Sequence, residues 1–376
     1  MEKLNKYTRV ELLLIFIFLI NVLGLTAKDI KEIKGASRET IVNKNSEDFA
    51  KLHEKDRIRI LKNMEKAMGK LPDRTGLPPF DIHIIDSLKE ESYTRYNISF
   101  VVAKNERITA YLYIPYQKGI PKKLPAMLVL HGTDPLGKRV VDGQGTKPNR
   151  GHAKELAQRG CVVIAPDYPS FGDLSDYDFN SDRYESGTMK GIFDHIRCVD
   201  LLLNRKDVDP ERIGALGLSL GGHNSMFVGA FDTRLKVIVS SSGWTLMDYY
   251  NIGEEASKKY GGRLGPWAQD RYMPLLRTKY KLDGSKFPFD FDDVITAIAP
   301  RSFFSVSPLR DANFDVKGVK RGIEIVAEVY RTLGAEDKLQ VRYPDAEHDF
   351  PVESRIEAYS YIDKIFGFTP NKIEIK

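Results

Sequence analysis

The sequence predicts an α/β fold with a mostly parallel central sheet and helices on both of its faces. From Lys123 to the end of the chain, short apolar runs alternate with longer segments of helical spacing. A short apolar run indicates a strand buried on both faces, and the intervening helices supply the cover on each side. Residues 123–376 are therefore predicted to form one domain, and a motif centred on a serine lies between one of its strands and the following helix.

The elements of this domain follow one another in regular order. The predicted strands are Ala126–Leu130, Cys161–Ala165, Arg212–Leu216, Leu235–Ser240, Arg301–Ser305 and Leu339–Arg342. The predicted helices are Gly151–Arg159, Thr188–Asn204, Leu220–Ala230, Lys317–Leu333 and Val352–Ile365. Residues 243–293, rich in Tyr, Trp, Gly and charge, interrupt the alternation. Because loops of this length are usually functional, we expect them to form a cap over the site.

Residues 28–122 are predicted to form an N-terminal extension with one helix and one β-hairpin. A polar segment without periodicity, residues 28–46, leads into Glu47–Gly69, whose apolar residues have near-helical spacing. Further on, Tyr93–Val102 and Arg107–Ile114 alternate between polar and apolar residues around a short turn. This alternation is typical of an antiparallel hairpin.

Residues 1–27 have the pattern of a secretory signal peptide. A basic start precedes an apolar run from Leu12 to Leu25, and the small residue Ala27 follows. Fourteen helical residues cover about 21 Å, which is less than the ~30 Å hydrocarbon core of a bilayer. An uncleaved signal anchor is the alternative, since Leu25 is not the small residue that cleavage sites prefer. We expect export to the periplasm or the medium, with no stable membrane anchor after cleavage.

The composition excludes several classes of protein. Of the 376 residues, 42% are hydrophobic and 29% are charged, which excludes a disordered chain. The 57 basic and 52 acidic residues give a net charge of +5 without a basic stripe, so we expect no nucleic-acid binding. Cys161 and Cys198 both lie in apolar segments, and we expect buried thiols rather than a disulfide.

A Gly-x-Ser-x-Gly motif occupies residues 217–221, with Ser219 at its centre. It directly follows a predicted strand and directly precedes a predicted helix, which is typical of a nucleophile elbow. The two glycines are needed because side chains there would clash with the strand and the helix. We expect Ser219 to be the nucleophile, and the Leu220 amide at the helix N-terminus to face a developing oxyanion.

A serine hydroxyl needs a general base, and His348 is the best placed of the seven histidines. It follows the last predicted strand, in a loop at the carboxyl edge of the sheet, where open α/β sheets present their ligand groups. We expect His131, at the end of a strand, to hydrogen-bond with the backbone rather than to transfer a proton. The remaining histidines lie outside the sheet unit or on helices: His53, His83, His152, His195 and His223.

The carboxylate that orients the base is expected after the preceding strand. Asp311 lies nearest the end of that strand, and Asp315 is its rival. Asp345 and Asp349, which flank the histidine, remain alternatives, although either could be a plain turn residue. The chain order of nucleophile, acid and base is that of the α/β-hydrolase fold and differs from the order in two other serine-hydrolase folds.

Two further parts of the site are predicted. In the turn after the first central strand, Gly132 allows a sharp bend and the backbone N–H of Thr133 is expected to point at the oxyanion. In the cap, Trp244 and Trp267 are the main candidates to stack on a sugar ring, within an aromatic segment that also contains Tyr249, Tyr250 and Tyr272. Aromatic residues in a cap are as often packing residues. Chemistry of this kind needs no metal and no cofactor, and we predict none.

The elbow and its flanks resemble the α/β-hydrolase superfamily. The residues that carry the resemblance are Asp209–Ile213 and Gly221–Asn224, with further similarity at Met68–Pro72, Pro288–Phe291 and Ala299–Arg301. The sequence is most similar to acetyl xylan esterases, dienelactone hydrolases and prolyl-oligopeptidase-like exported bacterial hydrolases. The resemblance implies Ser219 as nucleophile, Asp311 as acid and His348 as base. Dienelactone hydrolases have cysteine at the position of Ser219, so their particular reaction is not implied.

The sequence therefore predicts an exported serine carboxylesterase that acts on small-molecule or carbohydrate esters, including acetyl or other acyl esters. A prolyl-oligopeptidase-like peptidase is one alternative, since it shares the catalytic triad. It is disfavoured because nothing before Lys123 matches a β-propeller. A binding protein on a catalytically silent hydrolase fold is the other alternative, and it would be expected to lack a member of the triad.

Overall fold

The computed structural model describes residues 38–117 and 122–375. The predicted signal peptide, residues 1–27, lies outside these described residues. Within the described ranges, no helix combines the length and the apolar character needed to cross a bilayer. The described residues divide into two units between Lys55 and Asp56, and all the strands given below lie in the second.

A nine-stranded sheet organises this second unit. In chain order the strands are β1 (His83–Lys89), β2 (Tyr93–Ala103), β3 (Glu106–Pro115), β4 (Leu124–Leu130), β5 (Val162–Pro166), β6 (Val208–Leu218), β7 (Val237–Ser241), β8 (Ser302–Val306) and β9 (Leu339–Arg342). Their spatial order is β1-β2-β3-β5-β4-β6-β7-β8-β9. The first three strands are antiparallel, and β4 to β9 run parallel to one another. This mostly parallel sheet confirms the predicted fold class.

Helices cover both faces of the sheet. The α-helices of the described residues are α1 (Arg38–Met68), α2 (Lys138–Val141), α3 (His152–Gln158), α4 (Gly187–Leu203), α5 (Leu220–Phe231), α6 (Glu254–Lys259), α7 (Leu275–Thr278), α8 (Phe291–Ile298), α9 (Val316–Thr332) and α10 (Val352–Phe366). Along β4, Ala126 and Leu128 join one apolar cluster with α4, α5, α8 and α9. Met127 and Val129 point the other way, into a cluster with α3 and α10. Because successive side chains of a strand point to opposite faces, β4 contributes to an apolar core on each face of the sheet.

The hairpin that the sequence assigned to an N-terminal extension is continuous with the central sheet. β2 and β3 pair along most of their length, and β3 continues the sheet by pairing with β5 at Ala110–Tyr113. The strand β1 was not predicted, because all seven of its residues are exposed and it lacks the alternation of a half-buried strand. The boundary expected at residue 122 is therefore not a break in the sheet.

The described part of helix α1 already includes residues 38–46, which the sequence indicated as a lead-in without structure. Residues 38–46 contain neither Gly nor Pro, which would disfavour a helix. Their polar helix formers, such as Arg, Glu and Lys, produce no apolar periodicity from which a helix could be predicted. The start of a polar helix is consequently hard to recognise from the pattern of apolar residues alone.

Cys161 and Cys198 are both free and buried, as the sequence predicted. Burial raises the pKa of the Cys161 thiol to about 12. A thiol that stays protonated is a poor nucleophile, so these residues act as small apolar side chains.

The residues between β7 and β8 form the expected insertion. It contains α6, α7 and several single turns of 3₁₀-helix, and it ends in α8. The carboxylate of Asp290 accepts hydrogen bonds from the backbone N–H of Phe291 and from that of Met247. One side chain therefore starts α8 and also ties the beginning of the insertion to its end.

Candidate active site

Ser219 lies in a sharp turn between β6 and α5. Its backbone has φ 59° and ψ −120°, a conformation that a residue with a side chain adopts only under strain. Cβ atoms added at Gly217 or Gly221 would overlap backbone atoms, those of Gly221 and of Leu130 respectively. The motif therefore requires glycine at both positions, and the turn it builds is the predicted nucleophile elbow.

The N-terminus of α5 begins directly after this serine. Leu220 is the first helical residue, and the first N–H groups of a helix lack partners within the helix. The amide of Ser219 itself is already engaged, since it donates to the carbonyl of Ser241 on β7 at 2.9 Å. Leu220 borders the cavity beside the serine. Its position fits the role expected of its amide, because the positive end of a helix favours negative charge.

His348 and Asp311 form a hydrogen-bonded pair. The imidazole Nδ1 lies 2.9 Å from one carboxylate oxygen and 3.0 Å from the other. Asp311 is held in turn by the backbone N–H groups of Asn313 and Phe314, at 2.8 and 3.1 Å. Its side chain is only 1% exposed, so the carboxylate is shielded from water while it accepts these bonds.

The other carboxylates that the sequence left open have different partners. Asp315 accepts a hydrogen bond from the backbone N–H of Lys317 and starts helix α9. Asp345 forms an ion pair with Arg310 on the surface. Neither of them contacts the imidazole, and among the predicted acids the structure brings Asp311 to His348.

Asp349 anchors the loop that carries the histidine. Its carboxylate pairs with the guanidinium of Arg150 and accepts a hydrogen bond from Asn149 at 2.6 Å. Arg150 also donates to the carbonyl of His348 at 3.3 Å. The hydroxyl of Ser242, which directly follows strand β7, donates to the carbonyl of Asp349 at 3.2 Å. The backbone around the histidine is thereby held on two sides.

His131 is a structural residue, as the sequence predicted. The backbone N–H of Tyr168 donates to its Nε2 at 3.0 Å, and its Nδ1 lies 2.7 Å from the carbonyl of Gly132. Since Nε2 accepts, the proton lies on Nδ1 and is donated to that carbonyl. Burial also lowers the pKa of this imidazole and keeps it neutral. The ring thus holds the turn that leads to Thr133.

One cavity of about 310 Å³ connects these parts. Ser219, Leu220, Thr133 and His348 all border it, while Asp311 lies behind the imidazole. The residues predicted from four separate segments of the chain therefore meet at the carboxyl edge of the sheet. Among the residues in 38–117 and 122–375, no group of three or more His, Cys, Asp or Glu side chains is arranged to hold a metal ion.

The cap supplies an aromatic wall to this cavity. Trp267 borders it, and the ring packs at 5.4 Å from Tyr250 and 4.7 Å from His223. The expectation for Trp244 was wrong, because this residue is 1% exposed, lies outside the cavity and donates its indole N–H to Ser305 at 3.0 Å. Trp244 lies just after the end of β7, and its side chain is part of the core.

Among the residues that border the cavity, His223 and Arg150 were not recognised from the sequence as parts of the site. His223 was discounted because it lies on helix α5, yet it reaches the cavity one turn after the serine. Burial lowers its pKa to about 3, so the ring is neutral near pH 7. Arg150 lies in a loop without a motif, and only the tertiary path of that loop brings it to the cavity. Tyr272, one of the aromatic residues expected in the cap, borders the cavity as well.

The sheet, the elbow and the paired histidine and aspartate define the α/β-hydrolase fold with the arrangement typical of a serine hydrolase. Comparisons with known proteins agree with this class. Residues 182–334 match the family model described as "Glucuronyl esterase, fungi". That range spans the elbow, the cap and the loop of Asp311.

Individual relatives are distant but cover most of the chain. The hydrolase YtaP of Bacillus subtilis (strain 168) is 24% identical over 314 residues, which cover 81% of this chain and 97% of that protein. The solved glucuronoyl esterase from Solibacter usitatus superimposes with a TM-score of 0.62 at 18% identity, covering 83% of this chain and 92% of that one. The acetyl xylan esterase from Paenibacillus sp. R4 gives 0.52 at 17% identity, covering 81% and 99%.

Proposed function

We propose that the chain is an exported serine carboxylesterase that hydrolyses ester bonds in carbohydrate substrates. The observation that carries the proposal is the bond between Asp311 and Nδ1 of His348, at the rim of a cavity that Ser219 also borders. The cavity offers the two surfaces that a sugar ester needs, an aromatic wall from the cap and polar groups near the elbow. The similarity to esterases that are named for carbohydrate esters supports the substrate class.

In the proposed reaction, the Oγ of Ser219 attacks the ester carbonyl carbon while Nε2 of His348 accepts the hydroxyl proton. Asp311 holds the imidazole in the tautomer that leaves Nε2 free, and it stabilises the imidazolium that forms. The amides of Leu220 and Thr133 bind the oxyanion of the tetrahedral intermediate. The imidazolium then protonates the departing alcohol, and an acyl-enzyme remains.

Water completes the cycle. His348 removes a proton from a water molecule as its oxygen attacks the acyl carbon, and the second tetrahedral intermediate uses the same two amides. Collapse returns the proton to Ser219 and releases the carboxylic acid. The loss of one oxyanion donor typically lowers kcat by about 10²- to 10³-fold, so both amides are expected to matter.

A substrate panel tests this proposal. Acetylated xylan, an alkyl ester of a uronic acid and p-nitrophenyl acetate should be hydrolysed, and a dipeptidyl p-nitroanilide should not. Ser219→Ala should abolish turnover, while Ser175→Ala, a change at an exposed serine on the surface, should leave it intact. Cleavage of the dipeptide substrate in preference to every ester would favour the peptidase alternative and refute the proposal.

Export is a separate part of the proposal and rests on residues 1–27. The full chain, expressed in a bacterial host, should be recovered from the periplasm or medium with Lys28 or a close neighbour as its first residue. N-terminal sequencing of the purified protein checks this. An intact N-terminus on membrane-bound protein would support the signal anchor instead.

A further inference from the structure

Tyr272 joins the cap to the turn that carries the second oxyanion donor. Its hydroxyl lies 3.0 Å from the Oγ1 of Thr133, and both residues border the cavity. Nothing in the proposed reaction uses either side chain, because the oxyanion is bound through the backbone N–H of Thr133. The contact nevertheless joins the cap directly to the turn that supplies the second oxyanion donor.

The backbone of this part of the cap is firmly placed. The N–H of Thr188 donates to the carbonyl of Tyr272 at 3.1 Å, and the N–H of Gly187 donates to the carbonyl of Asp270 at 2.9 Å. These donors are the first residues of helix α4, whose N–H groups lack partners within the helix. The helix therefore fixes the position from which the phenol reaches Thr133.

A second link connects the same cap segment to the same turn. The hydroxyl of Tyr168 donates to the carbonyl of Arg271 at 2.6 Å, while its backbone N–H donates to Nε2 of His131. His131 in turn is bonded to the carbonyl of Gly132. The turn is thus held at its start through His131 and at its end through Thr133, and both links lead to adjacent cap residues.

We propose that Tyr272 is a positioning residue of the ester hydrolysis: its hydroxyl holds Thr133 so that the backbone N–H of Thr133 stays directed at the oxyanion. This inference rests on the proposed function. Hydrogen bonds prefer donor angles above about 150° and weaken steeply below about 120°, so a rotation of the turn that misdirects the N–H lowers the stabilisation of the transition state. Burial raises the pKa of the Tyr272 phenol, which therefore keeps its proton at neutral pH.

The test is a double-mutant cycle on the two hydroxyl groups. Tyr272→Phe and Thr133→Val each remove one of them with little change of shape. Each variant should lower kcat for p-nitrophenyl acetate about tenfold, equivalent to about 1.4 kcal/mol in the barrier, with KM within about twofold of the wild-type value. The double variant should be no slower than the slower single variant, since both changes remove one interaction. Thr133→Ser keeps the hydroxyl and should retain most of the wild-type kcat.

Tyr280→Phe is the matched control. It removes another cap hydroxyl that also forms a bond outside the cap, to the carbonyl of Lys66 at 3.1 Å, and it should leave kcat unchanged. Wild-type kcat in Tyr272→Phe, an effect confined to KM, or losses that multiply to about a hundredfold in the double variant would each overturn the inference. An inactive wild-type enzyme would instead refute the proposed function, on which the inference depends.

Discussion

The carboxylate of Asp311 illustrates how much a single residue depends on its place in the fold. It follows strand β8, as the order of elements predicted, and two backbone N–H groups fix its orientation toward His348. Asp311 and its rival Asp315 are only four residues apart in the sequence, and local turn geometry gives them different partners. Asp315 starts a helix, where one of its carboxylate oxygens accepts a hydrogen bond from the backbone N–H of Lys317.

Asp311→Asn tests this residue with almost no change of volume. An amide can donate its NH₂ to Nδ1 of His348, which moves the imidazole proton to Nε2 and removes the acceptor that Ser219 needs. We expect kcat to fall by about 10³- to 10⁴-fold, a loss of the size known for such tautomer errors. Steady-state kinetics with p-nitrophenyl acetate measure it, with the unfolding temperature as a control for folding. A loss below tenfold would mean that another group orients the histidine.

The orientation of the aromatic side chains in the cap could not be predicted from the sequence. Trp244 and Trp267 both lie in the same aromatic-rich segment, yet the first packs in the core and the second borders the cavity. Which one turns toward the cavity depends on the path of the cap, and no local pattern records that path. For the same reason, nothing near Tyr272 in the sequence indicates its contact with Thr133.

At the scale of elements, the elbow was predictable because its constraints are local. Strand, turn and helix are adjacent in sequence, and the glycines reflect direct clashes with the backbone. The order of strands in the sheet was harder to predict, because the residue pattern of a strand does not indicate which other strand it pairs with. The pairing of β3 with β5 joins segments about 50 residues apart, and so the hairpin was taken for an accessory element.

Gly221→Ala tests the packing of the elbow. The added methyl group would overlap the carbonyl oxygen of Leu130, and neither strand β4 nor helix α5 can move away without disrupting the sheet. Overpacking of this kind costs about 1–3 kcal/mol or more, so the unfolding temperature should fall by several degrees and activity should be lost. Gly145→Ala is the control, because its methyl group would meet only side-chain atoms at 3.9 Å. An unchanged unfolding temperature in Gly221→Ala would contradict the elbow geometry.

At the scale of the whole molecule, buried neutral histidines link stability to pH. Burial lowers the pKa of His195 to about 3, and it does the same to His223. In the unfolded chain the ordinary pKa of a histidine is about 6.5, so the unfolded state binds more protons as the pH falls below that value. The stability that each neutral histidine contributes is therefore complete above about pH 6.5 and is lost between that pH and about pH 3.

His195→Gln isolates one of these groups away from the cavity. Loss of the titrating ring should remove ~2 kcal/mol from the change in unfolding free energy between pH 7.5 and pH 5, so the variant has a shallower pH dependence than the wild type. Urea unfolding at both pH values measures the difference, and any constant loss from altered packing cancels. An equal change in unfolding free energy between the two pH values for both proteins would show that His195 is protonated at pH 5 in the folded state as readily as in the unfolded chain.

Active-site labelling is the sharpest test of Ser219 as the nucleophile of an ester hydrolase. A fluorophosphonate probe should add one equivalent of mass to the wild-type protein, and peptide mapping should place the adduct on Ser219. The rate of acetate release from acetylated xylan should fall in proportion to the fraction of protein labelled. Ser219→Ala should neither react with the probe nor release acetate. Labelling of another residue, or acetate release by Ser219→Ala at the wild-type rate, would contradict the account.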